Sequence, residues 1–139
     1  MPAENILYPV FAMVLLTFVV WLSMYYVRFS QMKKLGIDPQ SMQKTNPALP
    51  KAIKTSGDNF SNLCELPLLF YTLAAFLYIT GRVDGFYVYG AWLFVFLRSI
   101  HSFIHTTYNR VLHRFGFYLA SSLTLWILWG RFMVGYFRG

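Results

Sequence analysis

The chain has 139 residues, of which 57% are hydrophobic, 20% aromatic and only 12% charged. Soluble domains carry about 25% charged residues, and one of this size cannot hide so much apolar surface from water. This excludes a water-soluble protein and leaves an integral membrane protein of one domain. The net charge of +7 fits basic loops flanking membrane helices. No basic strip interleaved with aromatics points to nucleic acid. The single cysteine, Cys64, rules out an internal disulfide and a multi-cysteine metal site, and is expected to fill a buried gap.

Residues 6–27 carry no charge and are long enough to cross about 30 Å of hydrocarbon as a helix. The segment lacks a basic leader and a small-residue cleavage site, so it reads as a retained first helix rather than a signal peptide. Pro9 sits near its start, where a helix tolerates proline. Residues 28–56 read as a polar loop with Lys33, Lys34, Lys44, Lys51 and Lys54, broken by Pro39, Pro47 and Pro50. Some of this loop is expected to be helical, at no position that the sequence defines.

Residues 66–80 are too short to span unless the helix starts near Asp58, which takes Glu65 into the membrane. Residues 81–85, GRVDG, read as a tight turn. Residues 86–97 span only by continuing through Arg98 and His101, and 115–130 only by continuing through Arg131. The predicted architecture is an all-α membrane four-helix bundle forming one domain over 1–139. Its helices are expected at about 5–28, 57–80, 86–109 and 114–137. Ionisable residues at these depths are costly in lipid and should face the bundle interior. The first and third loops hold Arg28, the five lysines, Arg110 and Arg114, against Arg82, Arg131 and Arg138 on the other side. The positive-inside rule then predicts both termini on the non-cytoplasmic side; in a bacterium the membrane would be the inner one.

The polar residues of the spans form a pattern. Asn62 and Glu65 are three apart and share a helix face, and Pro67 frees the carbonyl of Leu63 and kinks the helix there. Arg98, His101 and His105 follow i, i+3, i+7 spacing on the third helix. Arg114 and Tyr118 lie one turn apart at the start of the fourth. Counted at about 1.5 Å per residue, Glu65 and Arg98 reach similar depth, which predicts an ion pair between them. The plain structural alternatives are a helix-locking pair at Glu65 and Arg98, a snorkelling arginine at 114 and an aromatic-belt tyrosine at 118. His101 and His105 have the i, i+4 spacing of helical zinc sites. The glutamate of H-E-x-x-H is missing, and His113 is too far along to complete a third ligand, so no metal is expected.

Order, spacing and topology together resemble the MAPEG family (membrane-associated proteins in eicosanoid and glutathione metabolism), in its microsomal glutathione transferase-like form. The family's N-x-x-E on the second helix is similar to Asn62-Leu63-Cys64-Glu65. Its R-x-x-H on the third is similar to Arg98-Ser99-Ile100-His101, its arginine and following tyrosine on the fourth to Arg114 and Tyr118, and its VR ending the first helix to Val27-Arg28. The resemblance implies a homotrimer with glutathione as co-substrate between neighbouring subunits near the cytoplasmic face. It implies that Arg114, with Tyr118, stabilises the thiolate, that Glu65 and Asn62 hold the tripeptide's backbone and amine, and that Arg28 of the adjacent subunit, Arg98, His101 and His105 complete the site. Two positions depart from the family. Basic residues usual before the asparagine are replaced by Asp58-Asn59-Phe60-Ser61, and a tyrosine usual one turn after the histidine is replaced by His105.

The expected function is therefore a membrane glutathione-dependent transferase or peroxidase. It would act on lipophilic electrophiles or lipid hydroperoxides, because a guanidinium lowers a thiol's pKa and ionises it for attack. The alternative is a non-catalytic member of the same fold that binds a lipid or a protein partner. A transporter or proton path through Glu65, Arg98 and His101 is a third class. It is disfavoured because no polar track continues through residues 70–80.

Overall fold

A computed structural model describes residues 1–36, 38, 40 and 50–139. A 3-10 turn (Ala3–Ile6) leads into α1 (Leu7–Leu35), followed by α2 (Lys51–Leu63), α3 (Leu66–Thr80), α4 (Gly85–Thr106) and α5 (Val111–Arg138). These make four helical spans long and apolar enough to cross a membrane, with α2 and α3 together forming the second. The protein is an all-helical, multi-pass membrane protein.

The polar loop is shorter than its composition suggested. α1 runs two turns past Arg28 and stops only at Gly36, which adopts φ 63° and caps the helix onto the Met32 carbonyl. Lys33 and Lys34 sit in that last turn, where cations complement the helix dipole. α2 begins at Lys51, straight after Pro50. Lys44, Pro39 and Pro47 lie outside the described residues.

The second span breaks where proline requires it. In a continuous helix the Pro67 ring would meet the Leu63 carbonyl. The chain instead leaves helical geometry at Glu65 (φ −92°, ψ −96°) and restarts at Leu66, with Pro67 in the first turn. Cys64 ends α2 at this break and is exposed, not packed in a gap as expected. At the far end of α3, Gly81 (φ 66°) receives the chain in the left-handed region.

Asp84 then starts α4. Its Oδ1 accepts the Tyr87 N–H at 3.2 Å, and its carboxylate binds Arg131 of α5 bidentately at 2.9 and 2.7 Å. These hydrogen bonds from Arg131 hold the Asp84 carboxyl below the usual carboxylate range. Arg131 also lies 4.5 Å over the Phe86 ring and 4.6 Å over Tyr87.

α4 is the central helix and packs most extensively on α5. Phe70 stacks on Phe94 at 4.8 Å between ring centroids, inside a core that includes Met13, Leu77, Ala91 and Leu125. Gly90 makes room for Leu128 of α5, since a Cβ there would stand 2.6 Å from Leu128 Cδ2. Large apolar residues such as Phe11, Leu15, Phe18 and Leu22 face outward along α1, where lipid rather than water is the solvent.

Candidate functional site

The buried stripe of α4 carries polar residues at its C-terminal half. Arg98 is 0% exposed, and His101, Ser102 and His105 are buried beside it. The guanidinium of Arg98 lies 4.9 Å over the Tyr118 ring and 5.7 Å over Phe94. None of its nitrogens has a hydrogen-bond partner. The expected Glu65–Arg98 ion pair is not formed. Glu65 stands exposed at the α2–α3 break, and among the described residues Asp84–Arg131 is the only ion pair. The break that Pro67 imposes is what turns Glu65 away from the α4 face.

His101 joins α4 to α5. Its Nδ1 is 3.0 Å from the Arg114 carbonyl oxygen. A carbonyl only accepts, so Nδ1–H is the donor, and Nε2 of the neutral ring is left as a bare acceptor. That carbonyl lies in the first turn of α5, four residues before Tyr118. The His101 and Tyr118 rings lie 5.8 Å apart. One histidine therefore touches the turn that presents both Arg114 and Tyr118.

Arg114 is half-buried, and its Nη1 donates to Asn109 Oδ1 at 2.7 Å. Asn109 adopts φ 46° and its N–H closes the end of α4 onto the Ile104 carbonyl at 2.8 Å. Asparagine tolerates this left-handed conformation better than most residues. It thus ends one helix and steers the arginine that opens the next. Asn62 is half-buried on α2. Arg28 lies over Tyr25 at 5.9 Å and close to Gly57 of its own chain.

The structure so brings Arg98, His101, Arg114 and Tyr118 together, and places His105 next to His101 at 6.0 Å between rings. Asn62, half-buried on α2, and Glu65, exposed at the α2–α3 break, make no hydrogen bond or ion pair to that group among the described residues. Asp58 reaches His105 only electrostatically. No set of three or more His, Cys, Asp or Glu side chains comes together to hold a metal among the described residues.

Three residues escaped the sequence reading. Asn109 stood at the expected end of the third helix, with no motif to mark it. Asn59 is 0% exposed with both amide atoms unpartnered; its polarity masked its position on the buried face of α2. Ser102 is buried with its hydroxyl unpartnered, whereas Ser99 and Thr106 on the same helix bond back to the carbonyls of Val95 and Ser102. It lies on the Arg98 face, one turn on.

No curated protein and no solved structure matches the chain. The MAPEG family model matches residues 6–134. With four membrane-capable helical spans over that same stretch, the chain belongs to the MAPEG family.

Proposed function

We propose that this protein is a membrane glutathione-dependent transferase or peroxidase that ionises a thiol beside Arg114 and directs it at a lipophilic electrophile or lipid hydroperoxide. The observation that carries the reading is the convergence of Arg98, His101, Arg114 and Tyr118 at one end of the α4–α5 pair. Only one Arg114 nitrogen is committed, to Asn109. The other N–H groups are the donors offered to a thiolate. Glu65 is exposed and Asn62 only half-buried, which suits contacts made between subunits, and a homotrimer is part of the reading. Glu65 would take the ammonium of glutathione and Asn62 its peptide backbone. Arg28 of an adjacent subunit would complete the site. His101 would hold Arg114 and Tyr118 in place, with Arg98 beneath the tyrosine ring and His105 at the margin. The reading puts this basic end in the cytoplasm and both termini outside, the orientation that the positive-inside rule favours.

The supporting chemistry is direct. A thiol with an ordinary pKa of about 8.5 is mostly protonated at neutral pH, and an adjacent guanidinium shifts it toward the nucleophilic thiolate. Membrane-embedded helices then let lipophilic substrates arrive through the bilayer.

A second reading is a non-catalytic member of the family that binds a lipid or protein partner. Asp58 favours it, because an exposed carboxylate one turn before Asn62 repels the carboxylates of glutathione. Glutathione titrated into the purified protein in detergent, with thiolate absorbance followed, separates the two. The enzyme reading expects a thiolate signal that Arg114→Ala abolishes while the assembly stays intact. No thiolate in the parent protein, or full activity in the variant, overturns it.

A further inference from the structure

The two ends of the bundle treat their cations differently. At the end holding the 81–84 turn, Arg131 is committed to Asp84 and Arg82 donates to the Gly135 carbonyl at 3.0 Å, so that of the three arginines there only Arg138 is exposed without a hydrogen bond or ion pair among the described residues. At the opposite end α1 finishes in Lys33 and Lys34, α2 begins at Lys51, and Arg110 precedes α5. All four are exposed. None of their side chains makes a hydrogen bond or ion pair among the described residues. Asp38 and Asp58, the acidic residues described at this end, pair with none of them.

Length places these cations. The 29 residues of α1 extend about 43 Å at 1.5 Å per residue, against about 30 Å of hydrocarbon. The last turn of α1 therefore stands in the headgroup layer. Toward this same end of the bundle Phe29 of α1, Tyr108 after α4, and Leu112 and Phe115 of α5 are exposed, and such side chains need acyl or interfacial cover rather than water. A free phosphate in solution would satisfy the cations and leave these groups uncovered.

We propose that this rim binds anionic phospholipid headgroups, with Lys33, Lys34, Lys51 and Arg110 as the contacts. Each cation near a negatively charged membrane surface contributes a comparable attraction that fades over a Debye length. The rim so selects an anionic lipid collar. This binding is independent of any thiol chemistry.

The test is native mass spectrometry of the detergent-solubilised protein, titrated with phosphatidylglycerol, phosphatidylcholine or inorganic phosphate. Phosphatidylglycerol adducts should exceed phosphatidylcholine adducts by about fivefold or more, an advantage comparable to one surface cation. The preference should fall with added salt and vanish in K33Q/K34Q/K51Q/R110Q, while R138Q at the other end retains it. Equal retention of the two lipids overturns the proposal. So does a preference that survives the quadruple substitution, or inorganic phosphate that displaces the lipid at equal concentration. If the quadruple variant fails to fold, the salt dependence of the parent protein decides: a salt-insensitive preference overturns the proposal and a salt-sensitive one supports it.

Discussion

The Nδ1 of His101 donates to the carbonyl of Arg114 across 3.0 Å, and so ties the buried stripe of α4 to the first turn of α5. The link is to backbone, so it orients the turn without occupying the guanidinium. His101→Phe keeps the ring's bulk and loses the donor. Thermal unfolding in detergent should show a loss of about 1 kcal/mol, the net value of one hydrogen bond. The thiolate signal should fall with it. His101→Asn, which retains an N–H donor, should recover part of both.

Arg98 allows a prediction of opposite sign. Its guanidinium is buried and none of its nitrogens is hydrogen-bonded. Stacking on Tyr118 and Phe94 offsets only about 2 kcal/mol of such a cost. Replacing even a buried ion pair by apolar side chains of similar volume is often neutral or stabilising by about 1–4 kcal/mol, and a buried guanidinium with no carboxylate has less attraction to lose. Arg98→Met should therefore raise the unfolding temperature while activity falls, because Tyr118 loses the cation beneath its ring. A large loss of stability would mean that the guanidinium has partners beyond these rings.

Gly90 sets the α4–α5 distance. A Cβ there meets Leu128 Cδ2 at 2.6 Å and Cγ at 3.3 Å. Overpacking of this kind costs roughly 1–3 kcal/mol, so Gly90→Ala should lower thermal stability. Leu128→Ala should also be destabilising alone, but the double variant should lose less than the two losses combined. A double-mutant cycle reads this coupling, and strict additivity would show that the helices separate freely.

The Asp84–Arg131 pair gives a pH dependence. Arg131 depresses the folded-state pKa of Asp84, so its contribution is complete above the unfolded value of about 3.9 and is lost as pH falls through the lower folded value. Both side chains are nearly half exposed, so solvent screening keeps the charge contribution below about 1 kcal/mol. Asp84→Asn, which keeps the capping oxygen, should lose that charge contribution at neutral pH and nothing in strong acid. Asp84→Ala should lose about 1 kcal/mol more through the cap. Melting curves from pH 7 down to about 3 check both.

Much of the site was legible because helical spacing alone aligns side chains. Arg98, His101 and His105 share a face at i, i+3, i+7 whatever packs against them, and all three are buried. Residues whose role depends on a neighbouring helix were not legible. The depth argument brought Glu65 level with Arg98 but could not see that the Pro67 break would rotate the carboxylate outward. The expected span 86–109 made Asn109 the last residue of a helix, and only the fold shows its side-chain oxygen accepting from Arg114.

The sequence by itself determined the solvent and the class of fold. Long apolar runs with few charges within them can satisfy their backbone in lipid only as helices, and the order of polar motifs along those helices carries the family. Tertiary structure decided which polar groups meet. Pro67 sets the 64–65 break and Asn109 its turn locally, whereas the rotation and packing of the helices are set by contacts between segments distant in the chain. Those contacts put His101 against the Arg114 carbonyl, left Arg98 without a carboxylate, and left four cations uncovered at one rim while Arg82 and Arg131 were committed at the other.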